Sequence, residues 1–145
     1  MKLHYVFLTF LFLLFGCQKP DSIKINELNQ AISTWKKANL KSYSVTQKIS
    51  CYCMDEFILP KRLVIVDQKV VSVNGSPIPE EELSVYLTVE DSFEFIKDRL
   101  AKNPIKSSIE YDDTYGFPSS FHFDMSEQIV DEEISYYFTD FTLTQ

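Results

Sequence analysis

The sequence predicts an α+β fold in which two helices pack on one antiparallel sheet, each helix followed by three strands. Three observations predict it. Two segments carry apolar residues at the three-or-four spacing of a helix face. Several shorter ones alternate apolar and polar residues with the period of a strand. A Pro- and Glu-rich stretch divides the chain into two halves of the same order. Composition agrees, since 12 Phe and 8 Tyr against only 3 Gly in 145 residues favour a packed, sheet-rich interior. That length supports one core, so a single domain is expected over residues 22–145.

The first helix is expected over 22–38, where Ile25, Leu28, Ile32, Trp35 and Ala38 form one apolar stripe and Asn39 is the stop. Tyr43, Val45, Ile49, Cys51 and Cys53 share one parity and read as a strand with one face inward. Residues 63–66 and 70–73 are two apolar strands joined through Asp67-Gln68-Lys69 as a tight hairpin. The dividing loop, 74–82, holds Gly75, Pro77, Pro79 and the acidic run Glu80-Glu81-Glu82. Thr88 then caps a second helix with Asp91 completing a capping box, and Phe93, Ile96 and Leu100 form its buried stripe before Pro104. Strands follow at 105–111, 119–124 and 133–143; in the last, Ile134, Tyr136 and Phe138 alternate with Ser135, Tyr137 and Thr139.

Residues 1–16 form a targeting segment rather than part of the fold. Lys2 and His4 make a short basic start, and 5–15 is an apolar run broken only by Thr9, too short for the roughly twenty residues a membrane span needs. The run ends Leu14-Phe15-Gly16-Cys17, which resembles the lipobox of bacterial lipoproteins. The resemblance implies diacylation of Cys17 and cleavage before it, with 17–21 as a short tether. Each buried methylene of an acyl chain adds about 0.8 kcal/mol, so two or three chains anchor permanently. The implied location is the cell envelope, with the membrane as first partner and an envelope protein as a possible second.

The net charge of −7 becomes more negative on processing, because Lys2 is the only formally charged residue lost. An acidic domain repels polyphosphate, so nucleic acid is not an expected partner. No Gly-rich phosphate loop, Gly-x-Ser-x-Gly elbow or His-Glu-x-x-His occurs, and beyond residue 17 His122 is the one histidine. An enzyme is therefore not the expectation, and neither a cofactor nor a metal is assigned. His122 alternates with Phe121 and Phe123, which places it on the solvent side of a strand.

Cys51 and Cys53 carry the sharpest chemistry. In an oxidising compartment an even pair points first to a disulfide. Residues two apart on a regular strand have β-carbons roughly 6 to 7 Å apart, from a rise of about 3.3 Å per residue, against about 3.8 Å in a disulfide, so bridging requires a turn at Tyr52. Reduced packing and redox or metal chemistry are the other readings, and metal needs ligands beyond the pair. Between later strands, Tyr111-Asp112-Asp113-Thr114-Tyr115-Gly116-Phe117-Pro118 reads as a turn in which Gly116 takes positive φ and Pro118 restrains Phe117. It lacks the alternating oxygen ligands of a calcium loop.

The Cys-x-Cys strand and this loop, with Trp35, Tyr43 and Thr88-Val89-Glu90, resemble a family of bacterial secreted and lipoprotein domains of unknown function. The resemblance spans roughly Trp35 to Phe141 and implies fold and exported location without an activity. Such domains often carry an Asp-Gly hairpin; Gln68 stands at the Gly position here, so a turn of another type is expected.

Overall fold

The computed structural model describes residues 20–78 and 84–144. Residues 1–16, expected to be a targeting segment, Cys17 and the acidic run 80–82 lie outside them.

Helix α1 (Pro20–Ala38) buries Leu28, Ala31 and Trp35 and ends where Asn39 takes the left-handed conformation (φ 51°). Ile25, expected on the buried stripe, is 45% exposed, because it sits at the rim of the interhelical contact beside Leu100 and Ala101. Strand β1 (Tyr43–Ser50) turns Tyr43, Val45, Gln47 and Ile49 inward. A one-turn helix α2 (Asp55–Ile58) then leads into strands β2 (Lys61–Val66), β3 (Lys69–Val73) and the two-residue β4 (Ser76–Pro77). Helix α3 (Val89–Ala101) opens with the expected capping box, Thr88 and Asp91 each receiving the other's backbone N–H. Strands β5 (Lys106–Tyr111), β6 (Pro118–Asp124) and β7 (Ile134–Leu143) complete the chain. The fold is α+β and mostly sheet, with α2 and β4 added to the expected elements.

All seven strands form one antiparallel sheet in the order β4-β3-β2-β1-β7-β6-β5. Each half is a meander, and the two join through the first strand of one and the last strand of the other. Tyr43 thus lies opposite Leu143, and the centre of the sheet depends on the most distant pairing in the chain.

Two local devices depart from the sequence reading. The β2–β3 connection is a two-residue turn after all, since Asp67 (φ 47°) and Gln68 (φ 64°) both adopt the positive φ that Asp-Gly pairs favour. The cost for a non-Gly residue is about 1–2 kcal/mol. Gln68 N–H donates to Lys41 O at 2.9 Å, and Asp67 N–H to Ser42 Oγ at 3.3 Å, which offsets it. On β7, two residues, Asp140 and Phe141, stand opposite the single Val45. With Asp140 at φ 53°, this bulge reverses the alternation and swings Phe141 inward, where simple parity would bury Asp140. Arg62 secures it from β2, donating to Asp140 O at 2.5 Å and to Thr142 Oγ1 at 2.7 Å.

Candidate functional site

The residues singled out in the sequence assemble in two places. Trp35, Tyr43, Val89 and Glu90 meet under the start of α3. Tyr43 Oη accepts from Val89 N–H at 2.7 Å, and Trp35 Nε1 donates to Glu90 Oε1 at 2.8 Å. Trp35 stands edge-on to Tyr43, centroids 5.4 Å apart, and Phe117 stacks on Phe141 at 4.7 Å. Burial pushes the Tyr43 hydroxyl well above the usual tyrosine range; the Val89 hydrogen bond opposes this, while the charges of Glu90 and Asp91 add to it. Glu90 Oε2, by contrast, is buried and has no partner. Glu90 lines a cleft of about 530 Å³ between α1 and α3, whose walls include Trp35 and Phe93 and whose rim carries Asn29, Lys36 and Lys97.

The loop after β5 packs against the other side of α1. Asp112 Oδ1 accepts from Thr114 N–H (3.0 Å) and Tyr115 N–H (2.7 Å), while Gly116 N–H returns to Asp112 O at 2.9 Å. Gly116 has φ +76°, and a β-carbon there would lie 2.8 Å from Ala31 O and 2.9 Å from Thr34 Cβ. Glycine is required twice over, for conformation and for the approach of α1. Tyr115 packs on Phe141, and Pro118 opens β6, so the turn also locks the aromatic cluster. Tyr111 Oη is buried without a partner, and burial raises its hydroxyl above the usual range, with the charge of Glu27 adding to the effect.

The cysteines require a correction. β1 stops at Ser50, so Cys51 and Cys53 lie on a bend beyond the sheet and not on the strand. Leaving the strand brings their α-carbons to 5.4 Å, and a disulfide joins them. Chain entropy gives a three-residue loop only about 1.6 kcal/mol, against about 3 for fifteen residues.

His122 lies on the open face opposite Phe121 and Phe123, as its alternation predicts, and is half-buried there. Ser50 pairs with Ser135 and Ser135 with His122, so one row across β1, β7 and β6 carries His122 towards the bridge. Cys51, Tyr52, His122, Asp131, Glu133 and Ser135 line a groove of about 340 Å³ on the face opposite the helices. His122 Nδ1 lies 3.0 Å from Ser135 Oγ. The pairing of β1 with β7 at Ser50 and Ser135, together with that of β7 with β6, created this neighbourhood, and nothing in the sequence signals it.

Sequence reasoning also missed Gln47, which is 1% exposed. Its Oε1 accepts from Leu87 N–H at 2.9 Å and its Nε2 donates to Val85 O at 3.4 Å, tying the segment before α3 to the sheet. Its inward parity between Val45 and Ile49 was the available signal.

Fold and site together define a small α+β domain with two helices on one face of an antiparallel meander, a cleft between the helices and a disulfide at the sheet's end. The chain belongs to a family of unknown function, DUF6174, whose model matches residues 27–143. No curated protein and no solved structure matches the chain.

Proposed function

We propose that this chain is an exported, lipid-anchored domain of the bacterial cell envelope that serves as a binding accessory module, with the cleft between α1 and α3 as its binding element. The lipobox-like Leu14-Phe15-Gly16-Cys17 and the apolar run before it support the anchor. One observation carries the binding role, the buried and unpartnered Glu90 Oε2. A buried acceptor left without a donor costs about 1–3 kcal/mol, which a ligand bearing an ammonium or amide N–H group removes. The cleft, about 530 Å³, has the size of small-molecule sites, and Lys36 and Lys97 at its rim suit an acidic group on the same ligand.

Trp35 is the single tryptophan of the chain and lines this cleft, so its emission reports occupancy. Titration with L-lysine and with n-butylammonium is expected to change that emission saturably, and Glu90→Gln to abolish the change. A flat titration with both probes refutes the binding role. For the anchor, the intact mass of the mature chain is expected to exceed that of residues 17–145 by the mass of its acyl chains; a mass equal to the unmodified polypeptide refutes it.

A second reading, thiol chemistry at Cys51 and Cys53, is favoured by the groove that holds Cys51 and His122 together.

A further inference from the structure

Cys51 and Cys53 differ in their surroundings. Cys51 is half-buried and lines the groove with His122, whereas Cys53 is exposed. Tyr52 between them is 83% exposed, so a reactant reaches the bend without displacing core. A bridge closing so short a loop adds little stability, and its place beside the single histidine of the described residues is unexplained by folding. Nδ1 of that histidine is engaged by Ser135, which fixes the ring and leaves Nε2 for other chemistry.

Resting on the thiol reading, we propose that Cys51–Cys53 is a thiol–disulfide exchange site for a cysteine pair on an extended polypeptide, with His122 as the proton donor to the departing Cys51 sulfur. A partner thiolate attacks the exposed Cys53 Sγ, forming a mixed disulfide and breaking the Cys51–Cys53 bond. Cys51 leaves as a thiolate inside the groove and takes a proton from His122. The partner's second thiolate then attacks the partner sulfur of the mixed disulfide and releases Cys53 as a thiolate; water, which carries the two protons the partner thiols gave up on ionising, protonates Cys53 and restores the proton to His122. In sum the partner dithiol is oxidised to a disulfide, the bridge is reduced to two thiols, and two electrons and two protons pass to this chain; the reverse sequence oxidises it.

A polypeptide fits better than a small anionic thiol. Asp131 and Glu133 line the groove and repel an anionic reductant such as glutathione. Tyr52 and Met54 on one side, and Ile129 and Val130 just before Asp131, are exposed apolar residues suited to a peptide's side chains.

The full lipid-anchored chain, purified in detergent, is mixed with an excess of a reduced synthetic peptide carrying Cys-x-x-Cys between apolar residues. Exchange is followed by acid quench, alkylation and mass. His122→Asn retains a polar group where Nδ1 stands and removes Nε2. It is expected to slow exchange about a hundredfold, the lower end of what positioned proton transfer supplies, with the melting temperature unchanged. If that variant unfolds, His122→Gln is read the same way. With the oxidised peptide, Cys51→Ser is expected to capture a mixed disulfide at Cys53 faster than Cys53→Ser captures one at Cys51. No exchange by the wild type overturns the thiol reading and the proposal together. Wild-type exchange with an unaffected histidine variant, or capture preferring Cys51, overturns this proposal and leaves the thiol reading standing.

Discussion

The two faces of the sheet treat their special residues in opposite ways. Under the helices, Trp35, Tyr43, Gly116, Phe117 and Phe141 are held by close ring contacts and charge-assisted or buried hydrogen bonds. On the open face, Cys51, Tyr52 and His122 border a groove, with one hydrogen bond to Ser135 and a disulfide that closes almost no loop. Trp35, Tyr43 and the Gly116 loop therefore build the helix-covered face, while the Cys51–Cys53 pair sits where little of the core depends on it. Buried ring contacts under the helices hold the fold together, whereas an exposed bend adds little to the core.

The largest difference between the faces is expected at the glycines. Gly116→Ala is expected to cost about 3 kcal/mol or more, combining positive φ with overlap against Ala31 and Thr34, whereas Gly75→Ala, with similar φ (+80°) and open space, costs about 1 kcal/mol. Urea denaturation of the two variants checks it, and equal losses would mean that α1 does not press on the loop. Trp35→Phe comes next, at about 2 kcal/mol, because it removes the donor to Glu90 Oε1 and leaves a second carboxylate oxygen unpaired. Adding Glu90→Leu to it should recover part of the loss if the unpaired charge is the cause.

On the open face, replacing Cys51 and Cys53 together by Ser should cost no more than about 1.6 kcal/mol, the chain-entropy value for so short a loop. A larger loss in thermal unfolding would make the bridge a structural staple. The smallest effect is a slope with pH. Burial raises the folded pKa of Tyr43 above that of the unfolded chain, so above about pH 10 the unfolded state holds fewer protons and stability falls as pH rises. The slope is about 1.4 kcal/mol per pH unit for that tyrosine. Denaturation midpoints between pH 9 and about 11 measure it, and Tyr43→Phe should lessen the slope by one tyrosine's share, leaving that of the buried Tyr111 and Tyr136.

Much of the helix-covered face could be read from the chain. The Thr88–Asp91 capping box, Asn39 as a helix stop, Gly116 at positive φ, and Tyr136 and Phe138 as inward residues all follow from neighbours within four positions. The misses have causes of another range. Cys51 and Cys53 kept the parity of β1, but the strand ended at Ser50, because β7 pairs with it only as far as Ser50 opposite Ser135. A turn of another type was expected at Asp67-Gln68 for want of a glycine, yet both residues take the positive φ of an Asp-Gly turn, with Gln68 N–H bonded to Lys41 O from outside the hairpin.

Periods of two and 3.6, caps and turn residues specified which segments become strands and helices, because those choices depend on contacts a few residues apart. Pairing β1 with β7, the bulge that turns Phe141 inward, the lack of a partner for Glu90 Oε2, and the groove that His122 and Cys51 share were decided by the tertiary structure alone. Each joins residues from separate elements, and burial and strand register in the folded sheet, rather than any local preference, set their geometry.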